Sequence, residues 1–215
     1  MSTPTLRRTL AAAALASLVG LSGCASLLGG SERGETVYAP MPAVQADAAW
    51  PTVTWQLIVS ASTGARITDS QRIAVRPTPT ELQVYKDAGW AKRPTDMLED
   101  ALVRTLEDSG RLPAVARPGS GINADYRLLL DLRRFESDYA GAPVPSAVIE
   151  VNAKLLHAQD ERIVASRTFV QRQPASGTAL PDVVAAFERG LSLSGREIAG
   201  WVLTTGAAHD LSERR

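Results

Sequence analysis

The sequence has one cysteine, two histidines and no excess of either charge, and each scarcity removes a class of function. A single thiol excludes an intramolecular disulfide and any multi-cysteine zinc site, so the folded part is held by its core alone. The 23 Lys and Arg balance 23 Asp and Glu, and no basic cluster provides the footprint that a phosphate backbone requires. No nucleic-acid partner is expected. His157 sits where a strand enters a turn and His209 lies in a polar tail, so neither is expected to orient a nucleophile or complete a metal site. G-x-S-x-G, Walker A and G-x-G-x-x-G patterns are absent, and Ser194-Gly195 falls inside a helical stripe. Asp131 and Glu136 stand five residues apart on one strand and are expected on opposite faces, which excludes a paired-carboxylate site. No catalytic residue, metal or cofactor is therefore expected.

What is present begins at the amino terminus. Arg7 and Arg8 precede an uncharged apolar run from Leu10 to Leu21, and Ser22-Gly23 lead to Cys24. A basic start, an apolar run of about a dozen residues and small residues at its end make residues 1–23 a secretory signal, too short for the roughly 20 residues of a membrane span. Leu21-Ser22-Gly23-Cys24 resembles the bacterial lipobox. That resemblance implies cleavage between Gly23 and Cys24, thioether diacylation of Cys24 and acylation of the new amino terminus. One acyl chain holds a protein to a bilayer only marginally, whereas two or three anchor it stably. Ala25 and Ser26 follow the cysteine, without the Asp that favours inner-membrane retention in enterobacterial lipoproteins. The expected location is the outer membrane of a Gram-negative envelope, facing the periplasm.

Residues 24–49 are rich in Gly, Ala, Ser and Pro and are expected to form a flexible tether spanning roughly 25–30 Å. Thr36-Val37-Tyr38 is a candidate short first strand, ended by Pro40 and Pro42. Residues 50–207 carry the folded domain and residues 208–215 a polar tail. Val53, Trp55, Leu57 and Val59 alternate with less apolar residues, the period of a half-buried strand. Ser62-Thr63-Gly64 reads as a turn. Residues 72–76 and 81–85 read as short edge strands. Met97, Leu98, Ala101, Leu102, Thr105 and Leu106 keep helical spacing, with Pro94 in the first turn and Gly110 just past the end.

Three longer strands follow, marked by Tyr126–Leu132, Ala147–Leu155 and the alternation of Val164, Ser166, Thr168 and Val170. Gln159–Arg162 joins the last two as an antiparallel hairpin. A final helix is expected from Leu180 to Thr204, its interior glycines explained by close packing or by a break near Gly195. The expected fold is α+β, a mostly antiparallel sheet with two helices packed on one face. Tyr85 and Trp90, beside Lys86 and Lys92-Arg93, form a candidate partner surface, with Trp90 alternatively capping the core.

Together the lipobox at Cys24, the strand around Trp55–Val59 followed by Arg72–Val75, Gly89-Trp90-Ala91 before Pro94, Ala124–Leu128 running to Arg134-Phe135-Glu136, Arg167-Thr168-Phe169, and Ala185-Ala186-Phe187 leading to Trp201 resemble one family. It is that of the ABC-type transport auxiliary lipoproteins, which includes the paraquat-inducible C-type lipoprotein. The resemblance implies a non-enzymatic outer-membrane lipoprotein acting beside an ABC permease, its ATPase and a substrate-binding protein with mammalian-cell-entry (MCE) domains in envelope lipid transport. A homo-oligomer is open on this reading. An assembly or pilot lipoprotein of another envelope machine is the alternative, and a lipid hydrolase is disfavoured because no nucleophile–histidine pair is in place.

Overall fold

The computed structural model describes residues 35–213 and sets the alternating Tyr126, Leu128, Leu130 and Leu132 at the middle of a nine-stranded mixed sheet. Gly23, Cys24 and the signal over residues 1–23 lie outside the described residues. In chain order the elements are β1 (Thr36–Tyr38), β2 (Leu57–Val59), β3 (Thr63–Gly64), β4 (Arg72–Thr78), β5 (Glu81–Trp90), α1 (Pro94–Ser109), β6 (Val115–Ala116), β7 (Tyr126–Asp138), β8 (Ser146–His157), β9 (Arg162–Pro174) and α2 (Leu180–Glu213). β7 pairs antiparallel with β8 along its length, and β8 pairs antiparallel with β9. The other edge of β7 is taken in turn by β2, β3 and β4, all parallel to it. β4 continues antiparallel to β5, β5 parallel to β1, and β2 parallel to β6. The α+β class and the long antiparallel pairings agree with the sequence; the parallel pairings come from strands too short to show a period.

α1 follows directly from its sequence. Pro94 needs no N–H partner at the first helical position, and Gly110 ends the helix at φ 59°, donating its N–H to Glu107 O. No side chain of Arg93 caps the start. Asp69 does so from a distance, its Oδ1 accepting from the Thr95 N–H at 3.1 Å and the Thr95 hydroxyl at 2.8 Å. Met97, Leu98, Ala101, Leu102, Thr105 and Leu106 are all buried, as their spacing requires.

α2 is one continuous helix of 34 residues, unbroken at Gly195. A Cβ at Gly190 would stand 3.0 Å from Ile149 Cδ1, and one at Gly195 3.2 Å from Thr105 Oγ1. The glycines therefore let α2 approach β8 and α1 closely, and the packing offsets their helical cost of roughly 1 kcal/mol each. Residues 208–213, expected as a polar tail, extend this helix.

Both helices and the sheet contribute to one core cluster. At its centre Trp90 meets Phe187 edge to face at 5.1 Å and Phe135 at 5.8 Å, while Phe135 stacks on Phe187 at 4.7 Å. Burying each such ring contributes roughly 1.5–3 kcal/mol, and each well-oriented ring pair about 0.5–1.5 kcal/mol more.

Several expectations need correction. Residues 35–49 are not a free tether: β1 pairs with Ala88–Trp90, Met41 N–H donates to Glu188, and Asp47 takes an ion pair from Arg196 at 2.8 Å. The candidate strand at Thr36–Tyr38 is present. Thr63-Gly64, read as a turn, pairs with β7. Only Leu57–Val59 of the first alternating run is strand, although Val53 and Trp55 are buried as the alternation required. On β9 the expected face is reversed. An extra residue between the Leu155 and Leu156 pairings shifts the register at Val164, so Phe169 and Gln171 are buried and Val170 is 54% exposed.

Candidate functional site

Trp90 is 2% exposed and belongs to the core, not to a partner surface. The reason is local. β5 inserts several residues between its Val84 and Gly89 pairings with β4, with Asp87 at φ 53°, and the strand re-enters the sheet at Ala88 so that Trp90 turns inward. Tyr85 is half-buried on the other side of this irregularity, its hydroxyl 3.1 Å from Ser137 Oγ. Burial pushes its phenol up from the ordinary tyrosine value, and the Ser137 hydrogen bond draws it back in part.

A second irregularity organises charge. The β7–β8 register shifts at Arg133, so Leu132 and Phe135 both face the core while Arg134, Glu136 and Asp138 share the opposite side. Asp131 lies on that side too, since its partner Asn152 and Glu136's partner Val148 have the same parity on β8. The expectation that Asp131 and Glu136 face opposite sides is therefore overturned by one extra residue. The two carboxylates are still held separately: Asp131 pairs with Arg133 at 3.2 Å, and Glu136 with Arg76 at 2.8 Å and Arg134 at 2.6 Å.

Glu136 is fully buried. Burial pushes its carboxyl up, but hydrogen bonds from Arg76 and Arg134 outweigh this and hold it below the ordinary carboxylate range. Asp138 is lowered in the same way: burial raises it, and Arg134, the Ala140 N–H and Arg172 more than offset that. Every lone pair taken by a guanidinium is one less for a reacting proton, so this network builds structure and offers no general base.

The two histidines come together. His157 at the end of β8 and His209 near the end of α2 have ring centres 5.1 Å apart. Tyr126 hydroxyl lies 2.9 Å from His209 Nδ1, and His157 Nδ1 lies 2.9 Å from Asp160 Oδ1. Sequence reasoning missed the pairing because α2 runs beyond Thr204 and brings its last turns over the β7–β8 end of the sheet. Among the described residues there is no group of three or more metal-ligating side chains, and no serine is hydrogen-bonded to either imidazole ring; the Ser212 hydroxyl donates instead to the His209 backbone carbonyl at 2.6 Å.

Residues 36–199 match the model of one family, the ABC-type transport auxiliary lipoprotein component. The chain belongs to that family. The crystal structure of protein XCC0632 from Xanthomonas campestris, assigned to DUF330, is 55% identical, and the match covers 82% of this chain and 99% of that one with a TM-score of 0.80. A crystal structure of an uncharacterized protein at 16% identity, matched over 77% of this chain and 97% of its own with a TM-score of 0.60, shares the fold. No curated protein matches the chain. The family is an auxiliary transport component and not a family of enzymes, and its membership implies an ABC system as partner. Among the described residues no helix is long and apolar enough to cross a membrane.

Proposed function

We propose that this chain is a lipoprotein anchored through Cys24 to the outer membrane, where it faces the periplasm and docks the MCE-domain substrate-binding protein of an ABC-type lipid transport system. The observation that carries the reading is the family match over residues 36–199, on a domain whose charged and histidine clusters are spent on structure. Cleavage between Gly23 and Cys24 supplies the acylated amino terminus, and the ATP chemistry lies with the permease and ATPase. On this reading the two helices cover one face of the sheet, and binding uses what they leave open. Tyr85, half-buried beside Ser137, keeps a place at the margin of the contact surface; Trp90 does not.

Cys24→Ala tests the anchor with the full chain. The variant should leave the membrane fraction for the soluble periplasm and lose transport activity, measured as the rate of envelope lipid exchange. Full activity from the unanchored protein contradicts the reading.

A further inference from the structure

The docking reading needs a surface, and β9 supplies one. Among the described residues β9 pairs with β8 alone, so from Arg162 to Gln173 its second edge presents the backbone N–H and C=O groups that do not face β8, while the Pro174 carbonyl is taken by Arg189. That strand contains Arg162, Arg167 and Arg172 and no acidic residue. Arg172 reaches Asp138 at 3.4 Å. Among the described residues, the guanidinium groups of Arg162 and Arg167 have no carboxylate partner. Arg167 lies over the Phe169 ring, 4.9 Å from its centre, and Phe169 meets Trp201 of α2 edge to face at 5.7 Å. These residues, with Trp50, Leu193 and Arg196, wall an open groove of about 520 Å³ beside the free edge. Glu197 also lines the groove, and Arg196 is engaged by Asp47.

We infer that β9 receives an extended acidic segment of the protein partner as an added strand, with an apolar or aromatic side chain of that segment seated in the groove. The inference rests on the docking reading above and names its surface. Backbone hydrogen bonds set the register of an added strand, and its alternate side chains fall on the side of Arg167 and Phe169, where the groove opens. Charge complementarity selects an acidic segment, because the strand offers two cations without a carboxylate partner, Arg162 and Arg167, and no anion, while Arg172 is taken by Asp138. Cations also protect an edge from unwanted pairing. Protection requires no aromatic-walled groove beside the strand, nor an arginine already placed over a ring without a carboxylate partner.

The test uses the full-length lipidated protein in the intact envelope, with a benzophenone amino acid at Val170 on β9, 54% exposed, and in a second strain at Ile67, 49% exposed and across the sheet from β9. Irradiation should link Val170 to another protein. The linked stretch, read by mass spectrometry, should carry net negative charge and alternating apolar residues. Arg162→Glu combined with Arg167→Glu should lower the adduct yield about tenfold while the circular dichroism spectrum stays unchanged. If that pair disturbs the spectrum, Arg167→Gln alone makes the same comparison. A protein adduct at Ile67 and none at Val170 preserves docking and overturns the edge; no protein adduct at either position counts against docking itself. A second copy of this chain or lipid at Val170, or a yield indifferent to the charge reversal, overturns the acidic-strand assignment.

Discussion

Two consecutive residues of β7 are buried to the same degree by opposite means. Phe135, 1% exposed, is enclosed by Trp90 and Phe187; Glu136, 0% exposed, is enclosed by Arg76 and Arg134 on the other side of the strand. The aromatic side gains stability from area removed from water. The charged side first loses hydration and recovers it only through bidentate hydrogen bonds, so its partners are mutually dependent. Removing a ring leaves a cavity, whereas removing one ion leaves its former partners unpaired.

The largest effect should come from the aromatic side. Phe187→Ala removes a ring with 0% exposure that touches both Trp90 and Phe135, and should cost about 3–5 kcal/mol in urea denaturation. A loss under about 1 kcal/mol would place the core elsewhere. Next, Glu136→Ala should cost about 2–3 kcal/mol, below the aromatic change because the Arg76 and Arg134 side chains are 24% and 28% exposed and recover some hydration. The conservative Glu136→Gln should also destabilise, since it keeps the volume and removes the charge.

The two sides of β7 also differ in their response to pH. Glu136 and Asp138 are both lowered in the folded state, so the unfolded chain takes up protons at higher pH than the folded one. Their contribution is therefore complete above the ordinary carboxylate range and is lost as pH falls through their depressed folded values. Thermal midpoints taken downward from pH 6 should fall, and Glu136→Gln should flatten that fall; Phe187→Ala should shift the curve without changing its slope. The smallest effect belongs to Asp69→Ala, remote from both sides of β7, which removes only the cap on α1 and should cost about 1 kcal/mol by the same denaturation measurement.

Local rules made much of this fold legible. α1 was readable from Pro94, Gly110 and six spaced residues because every signal lies within the helix itself. The burial of Val53, Trp55, Leu57 and Val59 followed from alternation even where the backbone leaves the sheet. What escaped were the irregularities. One extra residue at Arg133, another near Val164 and the insertion in β5 each reverse the side that later residues face, and period-2 reasoning carries no marker for such a shift. The first two shifts hid the shared face of Asp131 and Glu136 and the burial of Phe169, whereas Trp90 takes the core-capping place that the sequence offered as an alternative. The pairs Arg76–Glu136 and His157–His209 were invisible for a different reason: each joins residues more than fifty positions apart, and only the assembled sheet brings them together.

On the proposed function, the anchored domain works by docking an MCE-domain protein. Affinity purification of the full-length lipidated protein from crosslinked envelopes, read by quantitative mass spectrometry, tests it most directly. The account predicts an MCE-domain substrate-binding protein enriched with the wild type and lost with the soluble Cys24→Ala variant. Recovery of another envelope machine with no member of an ABC system would contradict it.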